Sequence, residues 1–170
     1  RNTVVGNMPD LCSLPLAYFK VHDDTYAYKM EAFVRFLQNH VRLMLEDPSL
    51  IGKNPFKYYN KNMTEKMEEK TLYVLQDDLA EDVNSPSEIR DIYPHDFEIV
   101  ERADVKQAIA EKNEDVVFLH KVGPESTRLK ARVYKILVGA GDPHIYYFDY
   151  KMARKSSHDA FQKRDFRKIR

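Results

Sequence analysis

Two groups of side chains in this sequence have the types and spacing to bind an ion or move a proton. Asp77, Asp78, Glu81 and Asp82 crowd into the run QDDLAED that follows the apolar segment Thr71–Leu75. Oxygen-only ligands of this kind suit Mg²⁺ or Ca²⁺. The glycine and the distal glutamate of an EF-hand loop are missing, so the run reads as a solvated acidic loop and no metal is assigned. The second group is histidine. His22, His40, His95, His120, His144 and His158 include no His-x-x-x-His pair, the spacing that sets two imidazoles on one helix face for zinc. His120 closes the apolar run VVFLHKV, and a strand there would deliver it to the edge at which open α/β sheets bind ligands. A hydrogen-bonded, partly buried histidine is the plain reading. A site in which the acidic loop and His120 converge at the strand ends is the catalytic alternative.

The other chemistry-bearing features favour structural readings. Cys12 is the single cysteine, so neither an intrachain disulfide nor a Cys-rich zinc site is possible. No Gly-x-Ser-x-Gly elbow is present. The glycine-rich GAGDP (139–143) joins two strand-like runs, whereas a phosphate cradle needs amides at a helix N-terminus. It reads as a hairpin turn. The aromatics of FKYYN (56–60) read as cover for the sheet or for a helix. Lys163, Arg164, Arg167 and Lys168 make the tail basic, but Phe161 and Phe166 look like helix anchors rather than stacking platforms. The tail therefore reads as the charged face of a solvated helix, and nucleic acid is not favoured as a partner. No cofactor is implied.

The chain has 170 residues, formal net charge zero and 43% hydrophobic residues, enough to fill a core. Zero net charge argues against a surface built wholly for nucleic acid. No run of eighteen apolar residues occurs, so no membrane-spanning helix is expected. The first residue is Arg1, as expected of a processed or trimmed product; removal of a signal peptide is one such route.

The elements that must position these groups follow from periodicity. Residues 1–22 read as an extended arm. Asp23, Asp24 and Thr25 supply N-cap residues for a helix over Thr25–Glu46, which Pro48 ends. Its apolar positions Tyr26, Met30, Phe33, Leu37, Val41 and Met44, widened by Ala27, Val34 and Leu45, predict one broad buried face. A connector (49–70) leads to strands at Thr71–Leu75, Phe97–Val100 and Val116–Val122. These are separated by helices at Ser85–Tyr93 and Arg102–Lys112. A hairpin of Leu129–Val138, half-exposed by its alternation, and His144–Met152 follows, then a helix from Ser156. The fold class is α/β, bordering on α+β. It has a mixed sheet of about five strands (β-α-β-α-β-β-β), the first three parallel through right-handed crossovers. Residues 1–70 pack as arm, long helix and connector on a 71–170 sheet domain, together one structural unit.

The stretch FEIVERADVKQAIAEKNEDVVFLHKV (97–122) resembles a pattern in two bacterial envelope α/β domains. One is that of the curli-secretion lipoprotein, the other the N-terminal domain of the Tol-system propeller protein. The matching positions are Val100, Glu101 and Arg102 at the strand end, Val105 and Ile109 on the helix, and Val116 to Val122 on the next strand. The whole sequence also looks like uncharacterised secreted proteins of the Bacteroidetes group. These resemblances imply a periplasmic or secreted protein that works by binding protein or other envelope material, with no catalytic residues to carry over. Strand–helix–strand–helix–strand–strand–helix is also the thioredoxin order. The redox dithiol is absent here, no proline immediately precedes Val116, and a fifth strand inside the sheet would exclude that arrangement.

Overall fold

Strands that are apolar on both faces need cover from both sides, and the runs TLYVL and VVFLHKV carry apolar side chains on each. The computed structural model describes residues 2–5, 17–20, 27–50, 67–122, 131–153 and 160–169. In chain order these form β1 (Asn2–Val5), β2 (Ala17–Lys20), α1 (Met30–Glu46), β3 (Thr71–Leu75), α2 (Pro86–Arg90), β4 (Phe97–Val100) and α3 (Arg102–Ala110). They continue with β5 (Val116–Val122), β6 (Ala131–Gly139), β7 (Ile145–Ala153) and α4 (Lys163–Phe166). The main sheet has the order β4-β3-β5-β6-β7, with β3 parallel to both β4 and β5 and the last two pairings antiparallel. This is the mixed α/β sheet expected from the sequence. β7 forms its edge, a position compatible with either fold reading. β1 and β2 pair with each other in a separate antiparallel ribbon.

The sheet is covered on both faces. Leu72, Val74, Val117, Leu119, Leu137 and Tyr147 pack with Ile89 of α2 and Phe166 of α4. On the opposite face Val116 and Phe118 pack with Ala32 of α1 and with Val105, Ala108 and Ile109 of α3. The short helices start where their caps dictate. Ser85 Oγ accepts from Glu88 N ahead of Pro86, and Asp104 Oδ2 accepts from Glu101 N at 2.9 Å.

Three expectations need correction. α1 turns Ala32, Phe33, Phe36, His40 and Met44 inward, so Val41 of the predicted stripe is 40% exposed, and Val34 and Leu45, expected to widen it, are 41% and 77% exposed, with Ala27 exposed as well. The described helix begins at Met30; Asp23–Thr25, the predicted cap, lie outside the described residues, as do Cys12, His22, His158 and the aromatics at 56–60. Where its side chains are described, β6 does not alternate: Tyr134 to Val138 are all buried, because both layers reach this strand. The last helix is one turn, Lys163–Phe166, although Phe161, Phe166 and Ile169 are the buried anchors expected.

That terminal segment is fastened by polar contacts as well. Phe161 N donates to the Asp78 carbonyl (2.7 Å) and Ala80 N to the Phe161 carbonyl (2.9 Å). Beside them Lys135, 3% exposed, donates to the Ala160 carbonyl and to Asp165 Oδ2 at 2.5 Å, while Tyr147 Oη donates to Asp165 Oδ1. Removing one member of a buried ion pair strands the other charge. Lys135→Met should therefore lower stability by about 3–5 kcal/mol, and adding Asp165→Asn should recover much of it. Urea unfolding of the two variants checks this.

The β6–β7 turn is held by Asp142, which accepts from Tyr146 Oη (2.7 Å), His144 N (2.9 Å) and Lys70 Nζ (3.3 Å). Here the backbone of Gly141 runs so close to the end of α3 that a Cβ would meet Lys112 O at 2.2 Å. Gly141→Ala must push two backbones apart and should cost roughly 1–3 kcal/mol, read from the same urea unfolding.

Candidate functional site

In open α/β sheets, ligands enter where successive crossovers leave in opposite directions, outside the carboxyl ends of the strands. Here β4 lies on one side of β3 and β5 on the other, so that point is the gap between β3 and β5. Their pairing runs from Thr71–Val116 to Tyr73–Phe118. β3 stays with β4 as far as Leu75–Val100, and β5 with β6 as far as Val122–Tyr134. The two strands thus part after Tyr73 and Phe118, and the Leu119 carbonyl, left without a ladder partner from β3, faces the parting.

Lys29 fills the demand. It precedes α1, is 4% exposed, and its Nζ donates to the Leu119 carbonyl at 3.0 Å, with the Tyr28 and Phe118 rings 5.5 and 5.7 Å away. Burial lowers its pKa to about 8; the Asp78 carboxylate opposes that shift, and the charges of Lys121 and Arg102 reinforce it. The same strand ends bring Asp78 and Lys121 into a 2.7 Å ion pair, with side chains 8% and 17% exposed.

The predicted site residues are accordingly divided. Asp78, expected in a solvated loop, is buried, because the loop is drawn down by Lys121 and by the backbone bridge of Leu79 to Phe161. Asp77, Glu81 and Asp82 stay exposed. His120 adjoins Lys121 in sequence, but alternation along the strand turns it to the α1 face. There it stacks on Phe33 with ring centroids 5.1 Å apart. Burial, with Lys29 adding to it, holds the His120 pKa near 3, so the ring is neutral at physiological pH. Asp78 and His120 therefore come close in sequence register yet face opposite layers. Among the described residues no three His, Cys, Asp or Glu side chains are grouped to hold a metal ion. Of the basic residues, Lys163 lies 4.0 Å from Glu88, Arg164 3.7 Å from Asp165 and Lys168 2.8 Å from Asp149, and Arg167 is exposed. Sequence reasoning missed Lys29, Lys121 and Lys135. For Lys121 and Lys135 the signal available was a lysine inside an apolar strand, which demands a buried carboxylate or carbonyl; for Lys29 there was none.

The second feature is the outer side of α1. Met30, Glu31, Val34, Arg35 and Gln38, with Lys112 from the turn after α3, line an open groove of about 380 Å³. Val41 and Leu45 project further along the same helix. Arg35 fixes the groove wall, donating to the carbonyls of Ala140 and Ile109 and to Glu31 Oε1. No described helix is long and apolar enough to cross a membrane. No protein-family model, curated protein or solved structure matches the chain.

The two lowered pKa values have opposite pH windows but one sign. Each group binds a proton more readily when unfolded, so stability rises with pH through each window. For Lys29 the window is about 8 to 10.5, and for His120 about 3 to 6.5. Wild type should gain stability relative to Lys29→Met as pH climbs through the upper window. It should lose stability relative to His120→Leu as pH falls through the lower one, both followed by urea midpoints.

Proposed function

We propose that this chain is a non-catalytic interaction module of a secreted or cell-envelope protein and that it engages protein through the outer face of α1. The observation that carries the reading is the exposed row Val34, Val41 and Leu45 beside an open groove. Apolar residues scattered singly on a surface are ordinary; several along one helix edge are what a binding face provides. The strand-end groups support the same reading over the catalytic one. Asp78 is engaged by Lys121, Lys29 occupies the parting between β3 and β5, and His120 lies under Phe33 on the other face. The envelope setting rests on the sequence resemblance, and fractionation of the native cells tests it.

A photo-cross-linking residue at Val41, introduced into the protein in its native cells, should give a discrete protein adduct. The same residue at Lys106, exposed on α3, should not. Equal labelling at both positions, or none at either, overturns the reading.

A further inference from the structure

The two buried histidines among the described residues lie in one layer, between α1 and the sheet. His120 on β5 is 2% exposed and His40 on α1 is 8% exposed. Four rings join them in a row. His120 stacks on Phe33 at 5.1 Å, Phe33 meets Phe36 at 5.9 Å, and Phe36 meets His40 at 6.0 Å. β6 sets Ile136 opposite His120 and brings the Tyr134 phenol to the same face, and α3 adds Val105, Ala108 and Ile109. The charges around the row are placed unevenly. Lys29, just ahead of α1, acts on His120 and disfavours a second positive charge there. Lys121 and Lys135, on β5 and β6, point to the opposite layer, where Asp78 and Asp165 pair with them. On α1 itself Arg35 is engaged by Glu31 and by two carbonyls, and Arg42 by Glu46. On α3, Arg102 and Lys106 are exposed. The layer of α2 and α4 buries Asp78, Lys135 and Asp165, with no histidine among its described residues.

We propose that α1 is an acid-released layer of this fold: in mildly acidic solution it lifts from β5 and β6 while the sheet and the layer of α2 and α4 stay folded. The release goes beyond the reading of the outer face of α1 as an interaction surface and does not depend on it. Opening the layer brings both imidazoles into water, where each ordinarily titrates near pH 6.5. The open form therefore binds protons that the closed form refuses. Burial, with Lys29 adding to it, holds the His120 pKa near 3, and burial lowers that of His40. The closed layer keeps its full advantage above about pH 6.5 and loses it as pH falls. Between pH 7 and pH 5 His120 alone raises the ratio of open to closed about 25-fold, and His40 multiplies that. The polar anchors of α1 end on carbonyl oxygens, which do not titrate, so the histidines set the pH window. Release uncovers the apolar face of the sheet at Phe118 and Ile136.

Hydrogen exchange of the full chain at pH 7 and pH 5, corrected for the pH dependence of intrinsic exchange, tests this. Between the two, the protection of the α1 amides should fall about 25-fold or more, and that of β3 and β5 less than about threefold. The double variant His40→Leu, His120→Leu should keep the protection of α1 the same at both pH values. His120→Leu alone should shrink the wild-type fall by about 25-fold, leaving the share that belongs to His40. Protection of α1 that ignores pH overturns the proposal. So does a loss in β3 and β5 that keeps step with α1, which is global unfolding, or a fall in α1 that persists in the double variant. If the double variant does not fold, the single one decides, and a fall in its α1 as large as that of wild type overturns the proposal.

Discussion

Lys121 and Lys135 stand directly opposite each other in the β5–β6 ladder, on the face that α2 and α4 cover. Like charges facing across a ladder repel, and here neither side chain is free in water, at 17% and 4% exposure. Each needs its own carboxylate. Asp78 answers the first at 2.7 Å and Asp165 the second at 2.5 Å. These acids are far apart in the chain but are brought side by side by the parallel bridge of Leu79 to Phe161. The loop after β3 and the C-terminal segment are therefore placed by one requirement. A small shift of either would leave a buried cation unpaired, at a cost well above the value of the intact pair. The apolar anchors Phe161, Phe166 and Ile169 supply the favourable burial, and the two ion pairs fix where that burial happens.

Locally patterned elements of this fold are legible in the sequence, and long-range partners are not. β3, β4 and β5 stand out because their apolar runs are short and interrupted by helical stretches, and their parallel order follows from crossover geometry. The GAGDP turn could be read from its glycines, and Ser85 and Pro86 announced α2. Partner choice could not be read. Lys135 finds Asp165 thirty residues on, and Lys29 finds a carbonyl ninety residues on. Nothing local to either lysine specifies those distances. Asp78 looked like one member of a solvated cluster because its neighbours Asp77, Glu81 and Asp82 are exactly that kind of residue; only the tertiary position of Lys121 sets it apart. The sequence reads His120 as a partly buried, hydrogen-bonded histidine; in the fold it is buried outright and stacked on Phe33, and its facing is decided only by the strand's alternation.

At the strand ends, position and chemistry diverge. The parting of β3 from β5 is where this class of sheet offers a ligand the free ends of its backbone. In this chain the backbone group exposed there, the Leu119 carbonyl, is answered by the chain's own ammonium. The lowered pKa of Lys29 is the consequence first of burying a cation in that gap, an effect that the Asp78 carboxylate opposes and that Lys121 and Arg102 reinforce. A perturbed lysine at such a point is often a sign of chemistry. Here its hydrogen bond accounts for the position, and the pKa follows from the burial.

The phase of α1 links that gap to the outer surface. Two polar anchors set the rotation of the helix: Lys29 reaching Leu119 at its start, and Arg35 reaching Ala140 and Ile109 six residues later. With these in place Phe33 covers His120, and the inward arc runs through Phe36, His40 and Met44. The apolar pattern Met30, Phe33, Leu37, Val41 and Met44 alone favours a helix turned by somewhat less than one residue step of about 100°, which would take in Val41 and turn Ala32 and Phe36 outward. That rotation would pull Lys29 out of the gap and uncover His120. The anchors win, and the helix keeps Val34, Val41 and Leu45 in water. Fully burying a side chain of this kind is worth about 1.5–3 kcal/mol, so the isolated chain forgoes several kcal/mol along one edge. A partner that buries the edge recovers that energy without disturbing either anchor. Polar contacts inside the fold thus leave an apolar edge of α1 in water.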